Sequence, residues 1–323
     1  MEPAKTLEAY QDVQLSACKG RDVLRIDEFS PAELEGLLRS AQQLKQWQKS
    51  GKVYQPLKGK TLGMIFDKAS TRTRVSFEVG IYQLGGMGMF LSGKELQLGR
   101  GEPISDTAQV MSRYVDGIMI RTFSHEAVET LARYAEIPII NGLTDLFHPC
   151  QALADMLTIL EHKGTLKGIK LAYVGDGNNV ANSLVLAAAL LGVDVSVAAP
   201  TGYEMDDQII KQAEMYAAAS GARLLFTNDP EQAVKGAHAV YTDVWTSMGF
   251  EAENEQRLRD FADYQVNERL VSLADPSYLF MHCLPAHRGE EVSAGVIDGP
   301  NSVIFDQAEN RLHAQKAILA AVL

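Results

Sequence analysis

The chain has 323 residues, long enough for two domains of ordinary size, each with its own core. A formal net charge of -11 and a pI near 5.2 exclude a nucleic-acid surface, because neutralising a phosphate backbone needs a basic face. Hydrophobic residues at 46% and charged residues at 22%, without an apolar run of membrane-spanning length, indicate a globular protein without a membrane partner. MEPAKTLEAYQDVQL lacks the apolar stretch of a signal peptide, so a soluble, cytoplasmic location is expected. Cys18, Cys150 and Cys283 form no CxxC pair, which fits a reducing compartment and argues against structural zinc.

In chain order, PAELEGLLRSAQQLKQWQK (31–49) has helical apolar spacing, with Pro31 at the first helical position after Ser30. TLGMIF is predicted as a strand, followed by KASTRTRVSFEVG, a basic, hydroxyl-rich knot entering a helix that runs to the glycines of QLGGMG. MGMFL is predicted as a strand, GKELQLGRGEP as a polar loop and DTAQVMSRYV as a helix. GIMIRT, EAVETLARYA and IPIING continue as strand, helix and strand. DLFHPCQALADMLTILEHKG (145–164) is a turn and then a long helix. The alternation resumes with strands KLAYVGDG, DVSVAAP and AVYTDVW and helices ANSLVLAAALLG and DQIIKQAEMYAAASG. LFMHCLP and SVIFDQ are expected as short strands and AENRLHAQKAILAAVL as the last helix. This β/α rhythm predicts two α/β domains, each a mainly parallel sheet flanked by helices, joined near residue 150.

Several strand-to-helix junctions carry chemistry. In the knot, Ser70, Thr71, Arg72 and Thr73 stand where free N–H groups and the helix dipole favour an anion, and arginine grips phosphate with paired bonds. The plainer alternative is a helix cap beside solvated Arg72 and Arg74. The G-x-x-x-x-G-K-[ST] pattern of a nucleotide-triphosphate loop is absent. FHPCQ sets His148 and Gln151 at a second helix start, where they could polarise a carbonyl and hold an amide, or serve only as structural hydrogen-bonding groups. VGDGNNV (174–180) invites a dinucleotide reading, but DVSVAAP ends without the acid that binds a ribose, which argues against a nicotinamide cofactor. The asparagines fit a small polar ligand better. Asp243 in DVWTSMG could meet an amine, with Ser247 on the loop beyond it, or be an ordinary strand-end acid. In MHCLPAHRGEEV, a lone Cys283 is ordinarily inert packing, and His282, Cys283 and His287 form only half of a zinc pattern. Arg311 in AENR starts the terminal helix, where a solvated or ion-paired arginine is the alternative.

The strings STRTR with SFE, HPxQ, GDGNN, DxWxSMG, HCLP and AENR, in this order from about residue 20 to the end, closely resemble the aspartate/ornithine carbamoyltransferases, on the ornithine side of that family. The resemblance implies an active site in the cleft between two domains and a homo-oligomer, a trimer or a multiple of trimers. It implies a carbamoyl phosphate-binding domain at 1–150, joined by the C-terminal helix at about 306–323, and an ornithine-binding domain at 151–305. By the same resemblance Ser70, Thr71, Arg72, Thr73, Gln97, Arg121, His148, Gln151, Cys283, Leu284 and Arg311 surround carbamoyl phosphate. Arg72, Arg121, His148 and Cys283 would serve the chemistry, and Gln97 would reach into a neighbouring subunit's site. Asn179, Asp243, Ser247 and Met248 match the ornithine positions. The implied reaction moves the carbamoyl group to the side-chain amine of L-ornithine, giving L-citrulline and phosphate in arginine metabolism, with no cofactor or metal. The alternatives are a putrescine carbamoyltransferase and a non-catalytic phosphate- or amino-acid-binding protein of the same fold. Cys150 varies within HPxQ and is not expected to be catalytic.

Overall fold

The computed structural model describes residues 16–97, 101–246 and 251–323. The chain divides into two compact units, one built from Met1–Leu157 with Asn310–Leu323 and the other from Thr158–Glu309. Both divisions fall inside helices, Pro149–Lys163 and Ile304–Val322. The junctions expected at residues 150 and 305 therefore shift by several positions, because a continuous helix offers no change of composition to mark the boundary.

The first unit is a four-stranded parallel sheet in the order β2-β1-β3-β4: β1 (Thr61–Phe66), β2 (Met87–Ser92), β3 (Gly117–Arg121) and β4 (Ile139–Leu143). Parallel strands covered on both faces read as nearly unbroken apolar runs rather than alternating ones. TLGMIF and GIMIR show this directly: every residue of either strand is buried except Thr61, which is half-buried. Between β1 and β2 runs the helix Thr71–Gln83, started by Ser70, whose hydroxyl accepts from the Thr73 N–H at 3.2 Å. The chain then returns to β3 on the other side of β1, so the strand order reverses between β1 and β3.

The second unit is a five-stranded parallel sheet in the order β7-β6-β5-β8-β9. Its strands are β5 (Lys170–Val174), β6 (Asp194–Ala198), β7 (Leu224–Thr227), β8 (Ala239–Thr242) and β9 (Leu279–His282). Its reversal lies between β5 and β8. The helix Asn179–Leu191 is buried almost all round, and its small alanines let it lie close to its neighbours. Open α/β sheets bind ligands beyond the carboxyl ends of their strands at such reversals.

Two elements depart from the sequence reading. SVIFDQ is not a strand. Ser302 makes a single bridge with Phe280, and the terminal helix begins at Ile304, with the Gln307 N–H donating to the Val303 carbonyl at 2.9 Å. A short apolar pair before a helix start mimics a strand end. LLFT, by contrast, is an added edge strand, β7, whose four residues are all only half-buried; so short a run carries little periodicity.

The GDG turn after β5 has a packing reason for its second glycine. A Cβ on Gly177 would stand 2.5 Å from the Met205 nitrogen and 2.6 Å from the Glu204 carbonyl carbon, and the Gly177 N–H donates to the Tyr203 carbonyl at 2.8 Å. Backbone cannot yield as a side chain can, so Gly177→Ala is expected to cost about 1–3 kcal/mol. Thermal unfolding should show a midpoint lowered by several degrees; an unchanged midpoint refutes this account.

Candidate active site

In the first unit the carboxyl ends of three parallel strands deliver one buried group. Arg121 ends β3 at a register shift between Ile120 and Arg121, an irregularity of the kind that re-aims a side chain. It is 5% exposed. His148 follows β4 and precedes the helix Pro149–Lys163, where its carbonyl accepts from the Gln151 and Ala152 N–H groups at 3.1 and 3.2 Å. Pro149 suits the first helical position because it has no N–H to satisfy there. Arg311 comes from the last helix. Its Nη1 donates to Gln151 Oε1 at 2.7 Å and its Nη2 to Thr73 Oγ1 at 3.3 Å. Gln151 is held in turn, its Nε2 donating to Asp155 Oδ1 at 2.8 Å. Thr73, His148, Gln151 and Arg311 are all buried.

The electrostatics of this group centre on His148. Burial holds its imidazole well below the usual histidine range, and Arg311, Arg121 and Arg72 each push it further down. The ring is therefore neutral at physiological pH, and three guanidinium groups converge on its surroundings. Such an arrangement supplies fixed donors for an oxyanion or a phosphate in a water-poor site. Cys150, two residues on, is pushed up to about 12 by burial and donates Sγ–H to the Asn141 carbonyl at 3.5 Å, so it stays a thiol.

The basic knot splits in two. Arg72 is half-buried and acts on His148, whereas Arg74 is exposed, lies 3.7 Å over the Phe90 ring and pairs with Glu78 at 3.5 Å. Ser70 is half-buried as the helix cap and Thr71 is exposed beside it. Gln97 is exposed on the loop after β2, its carbonyl accepting from the Glu102 N–H, and lies outside the buried group.

In the second unit the sheet reversal gathers a different set. Asp243 follows β8 and Cys283 follows β9; Asp243 Oδ1 accepts from Cys283 Sγ at 3.0 Å and from the Val244 N–H at 2.8 Å. Its Oδ2 accepts from Asn178 Nδ2 at 2.9 Å. Leu284, half-buried after Cys283, has a left-handed backbone at φ 60, uncommon for a branched side chain, and its N–H donates to His282 Nδ1 at 2.9 Å. Asn179 is half-buried at the first position of the Asn179–Leu191 helix. Ser247 and Met248 lie outside the described residues.

Sequence reasoning passed over Asp176 and Arg257 here and took Asn178 only as one of two asparagines suited to a polar ligand. Asn178 caps the helix, its Oδ1 accepting from the Val180 and Ala181 N–H groups, while its amide holds Asp243. The strong preference for asparagine at a helix cap would have singled it out from Asn179. Arg257, buried, donates to Asp176 Oδ2 at 2.6 Å and to the Trp245 carbonyl at 2.9 Å, tying the GDG turn to the DVW segment. Arg257 and Asp176 are 81 positions apart, so no local pattern announces that pair.

One unit thus offers buried donors for a compact anion, and the other a carboxylate and a thiol suited to an amino compound. Two family models match the chain in two parts. Residues 21–161 match the family model described as the aspartate/ornithine carbamoyltransferase carbamoyl-P binding domain, and residues 167–322 the Asp/Orn binding domain of the same family. The chain belongs to the aspartate/ornithine carbamoyltransferase family. It is 62% identical over 304 residues to an ornithine carbamoyltransferase of Thermococcus kodakarensis, covering 94% of this chain and 96% of that one. It is 59% identical over 304 residues to that of Bacillus subtilis, covering 94% of each. The solved ornithine carbamoyltransferase of Pyrococcus furiosus superposes with a TM-score of 0.92 at 59% identity, covering 94% of this chain and 97% of that one.

The depressed His148 has a measurable consequence. Its folded-state pKa lies below the unfolded value near 6.5, so as pH falls through about 6.5 the unfolded chain takes up a proton that the folded chain refuses. Stability is then lost with falling pH, by at most about 1.4 kcal/mol per pH unit from this residue. Burial also lowers His125, which adds to the same limb. His148→Asn should flatten the decline between pH 7 and pH 5.5, read by denaturant unfolding at each pH. Parallel declines in parent and variant overturn the assignment.

Proposed function

We infer that the chain transfers the carbamoyl group of carbamoyl phosphate to the side-chain amine of L-ornithine, releasing L-citrulline and phosphate. The observation that carries this reading is the convergence of buried Arg121 and Arg311 and half-buried Arg72 on a neutral His148 in the unit whose sequence matches a carbamoyl phosphate-binding domain. The identity of the curated relatives, named ornithine carbamoyltransferases, points to the same acceptor.

The assignment of roles follows from the chemistry. Ser70, Thr71, Arg72 and Thr73 hold the phosphate at the helix start, with Arg311 donating from the last helix. Arg121, His148 and Gln151 take the carbamoyl group. Attack of the amine nitrogen on the carbonyl carbon places negative charge on the carbonyl oxygen, and donors fixed beforehand favour that charge more than they favour the substrate. The C–O bond to phosphate then breaks, and the departing phosphate receives the proton shed by the nitrogen. A free ornithine side chain has a lysine-like pKa, roughly 10.4, so the neutral amine must be selected or generated on binding. Asp243 anchors the α-ammonium, with Asn178 and Asn179 beside it, and Cys283 and Leu284 lie toward the reacting nitrogen. Ser247 and Met248 belong to the acceptor loop.

On this reading the first unit serves as the carbamoyl phosphate-binding domain and the second as the ornithine-binding domain. We also assign a homo-oligomer, a trimer or multiple of trimers, in which Gln97 serves a neighbouring subunit. Its support is an exposed apolar set on the first unit: Val75, Val79 and Tyr82 on the helix Thr71–Gln83, and Met87, Met89 and Phe90 on edge strand β2. Among the described residues no helix is long and apolar enough to cross a membrane, and Cys18, Cys150 and Cys283 are not in disulfides, which suits a cytoplasmic enzyme.

A citrulline assay with carbamoyl phosphate and each of ornithine, putrescine and aspartate is expected to show turnover with ornithine. Turnover of putrescine instead would reassign the acceptor, and saturable binding without turnover would indicate a binding protein. Arg72→Gly should lower kcat/KM by about 10²-fold or more, as loss of an oxyanion donor does, with the unfolding midpoint nearly unchanged. Near-normal turnover removes Arg72 from the phosphate site.

A further inference from the structure

Beyond β9 the segment AHRGEEV forms a second cluster that carbamoyl transfer leaves unused. His287 Nδ1 lies 3.5 Å from Glu290 Oε2 and 3.9 Å from Glu291 Oε2, and the three ligand atoms all fall within 4.8 Å of one another. Two donors bound to one tetrahedral ion, with bonds near 2.1 Å, stand about 3.4 Å apart. The observed spacings therefore suit a shared cation better than a direct hydrogen bond.

Glu291 supplies the independent sign. It is 0% exposed, and its Oε1 accepts from the His287 N–H at 2.5 Å and faces His282 Nε2 at 3.3 Å. Its Oε2 is buried and has no hydrogen-bond partner among the described residues, although an unanswered buried carboxylate oxygen is costly. That oxygen is the one turned toward His287. The loop that carries the cluster is pinned: Gly289 donates to the Val292 carbonyl at 2.8 Å, Val266 to the Glu291 carbonyl at 2.9 Å, and Gln265 Nε2 to the carbonyls of Gly289 and Glu290. Arg288, the nearest cation in sequence, is occupied by a two-bond pair with Asp298 and does not neutralise the carboxylates. The side chains of His287 and Glu290 are 52% and 42% exposed, leaving an entry path and room for water as a further ligand.

We propose that His287, Glu290 and Glu291 form a binding site for a divalent transition-metal ion of the zinc or cobalt class. One imidazole and two carboxylates are a donor set for such ions. The site is separate from the second metal-like grouping, Asp243, His282 and Cys283, which contains the thiol. The H-C-x-x-x-H string seen in the sequence is thus divided, with His282 and Cys283 in one cluster and His287 in the other.

The test is a titration of the untagged full-length chain with Co²⁺, read by visible absorption and calorimetry. The expected result is one ion per chain, with weak visible bands and no thiolate-to-cobalt charge-transfer band. His287→Ala and Glu290→Gln should each weaken binding by about tenfold or more, whereas Cys283→Ser leaves it unchanged. Both altered side chains reach solvent, so the variants fold. Failure to saturate, affinity unchanged in both variants, or a charge-transfer band abolished by Cys283→Ser would each overturn the proposal.

Discussion

A buried guanidinium must have its N–H groups answered in place, and the first unit is organised around that requirement. Removing such a charge from water costs several kcal/mol even after relaxation. Arg311 meets this at both Nη atoms by donating to Gln151 and Thr73, neutral groups that come from two other helices. Gln151 can accept in that direction because its own amide is committed to Asp155. The chain Thr73–Arg311–Gln151–Asp155 thereby fixes the last helix, the helix that starts with the hydroxyl-rich knot, and the helix that follows His148. The imidazole registers the surplus positive charge: all three arginines depress it.

The same topological device appears twice with opposite chemistry. In each sheet the order of strands reverses once, and the carboxyl ends beside the reversal carry the functional groups. Arg121 follows from β3 in the first sheet; Asp243 and the Asn178 turn follow from β8 and β5 in the second. One reversal is lined with cations and neutral donors, the other with a carboxylate, an amide and a thiol. Because both occur within a chain of net charge -11, the sign of each site is set locally by which side chains end the strands. Net charge bears on partners and solubility, not on the chemistry of a recessed site.

Much of this was legible in the sequence, and the reasons differ by element. Strands buried on both faces, such as TLGMIF and GIMIR, are apolar without interruption and bounded by turn residues, so their identity is unambiguous. SVIFDQ looked similar because a helix start can be preceded by apolar residues that seal it. The Arg72, His148 and Asp243 positions stood out through local strings, whereas Asn178 was hidden by its identical neighbour. Arg257 and Glu291 could not be found this way. The role of Arg257 depends on Asp176, brought close by the fold, and that of Glu291 on a full burial that the string AHRGEEV does not reveal. GDGNN illustrates a subtler point: its second glycine answers the backbone of residues 204–205, a demand made by tertiary packing.

The first unit is not contiguous in sequence, since it is closed by Asn310–Leu323 after an intervening unit of some 150 residues. Arg311 lies in that closing segment, and the Gly20 N–H donates to the carbonyl of Val322 at 2.9 Å, so the segment is tied to an early part of the same unit. A ribosome releases these residues only after the whole of the second unit. The second unit has all its strands before Asn310 emerges, but the first must wait, with its helix seat open, for Asn310–Leu323. Termination before Asn310 would therefore leave the sheet of the second unit complete and remove Arg311 from the first, although the lost residues lie far from that unit's strands along the chain.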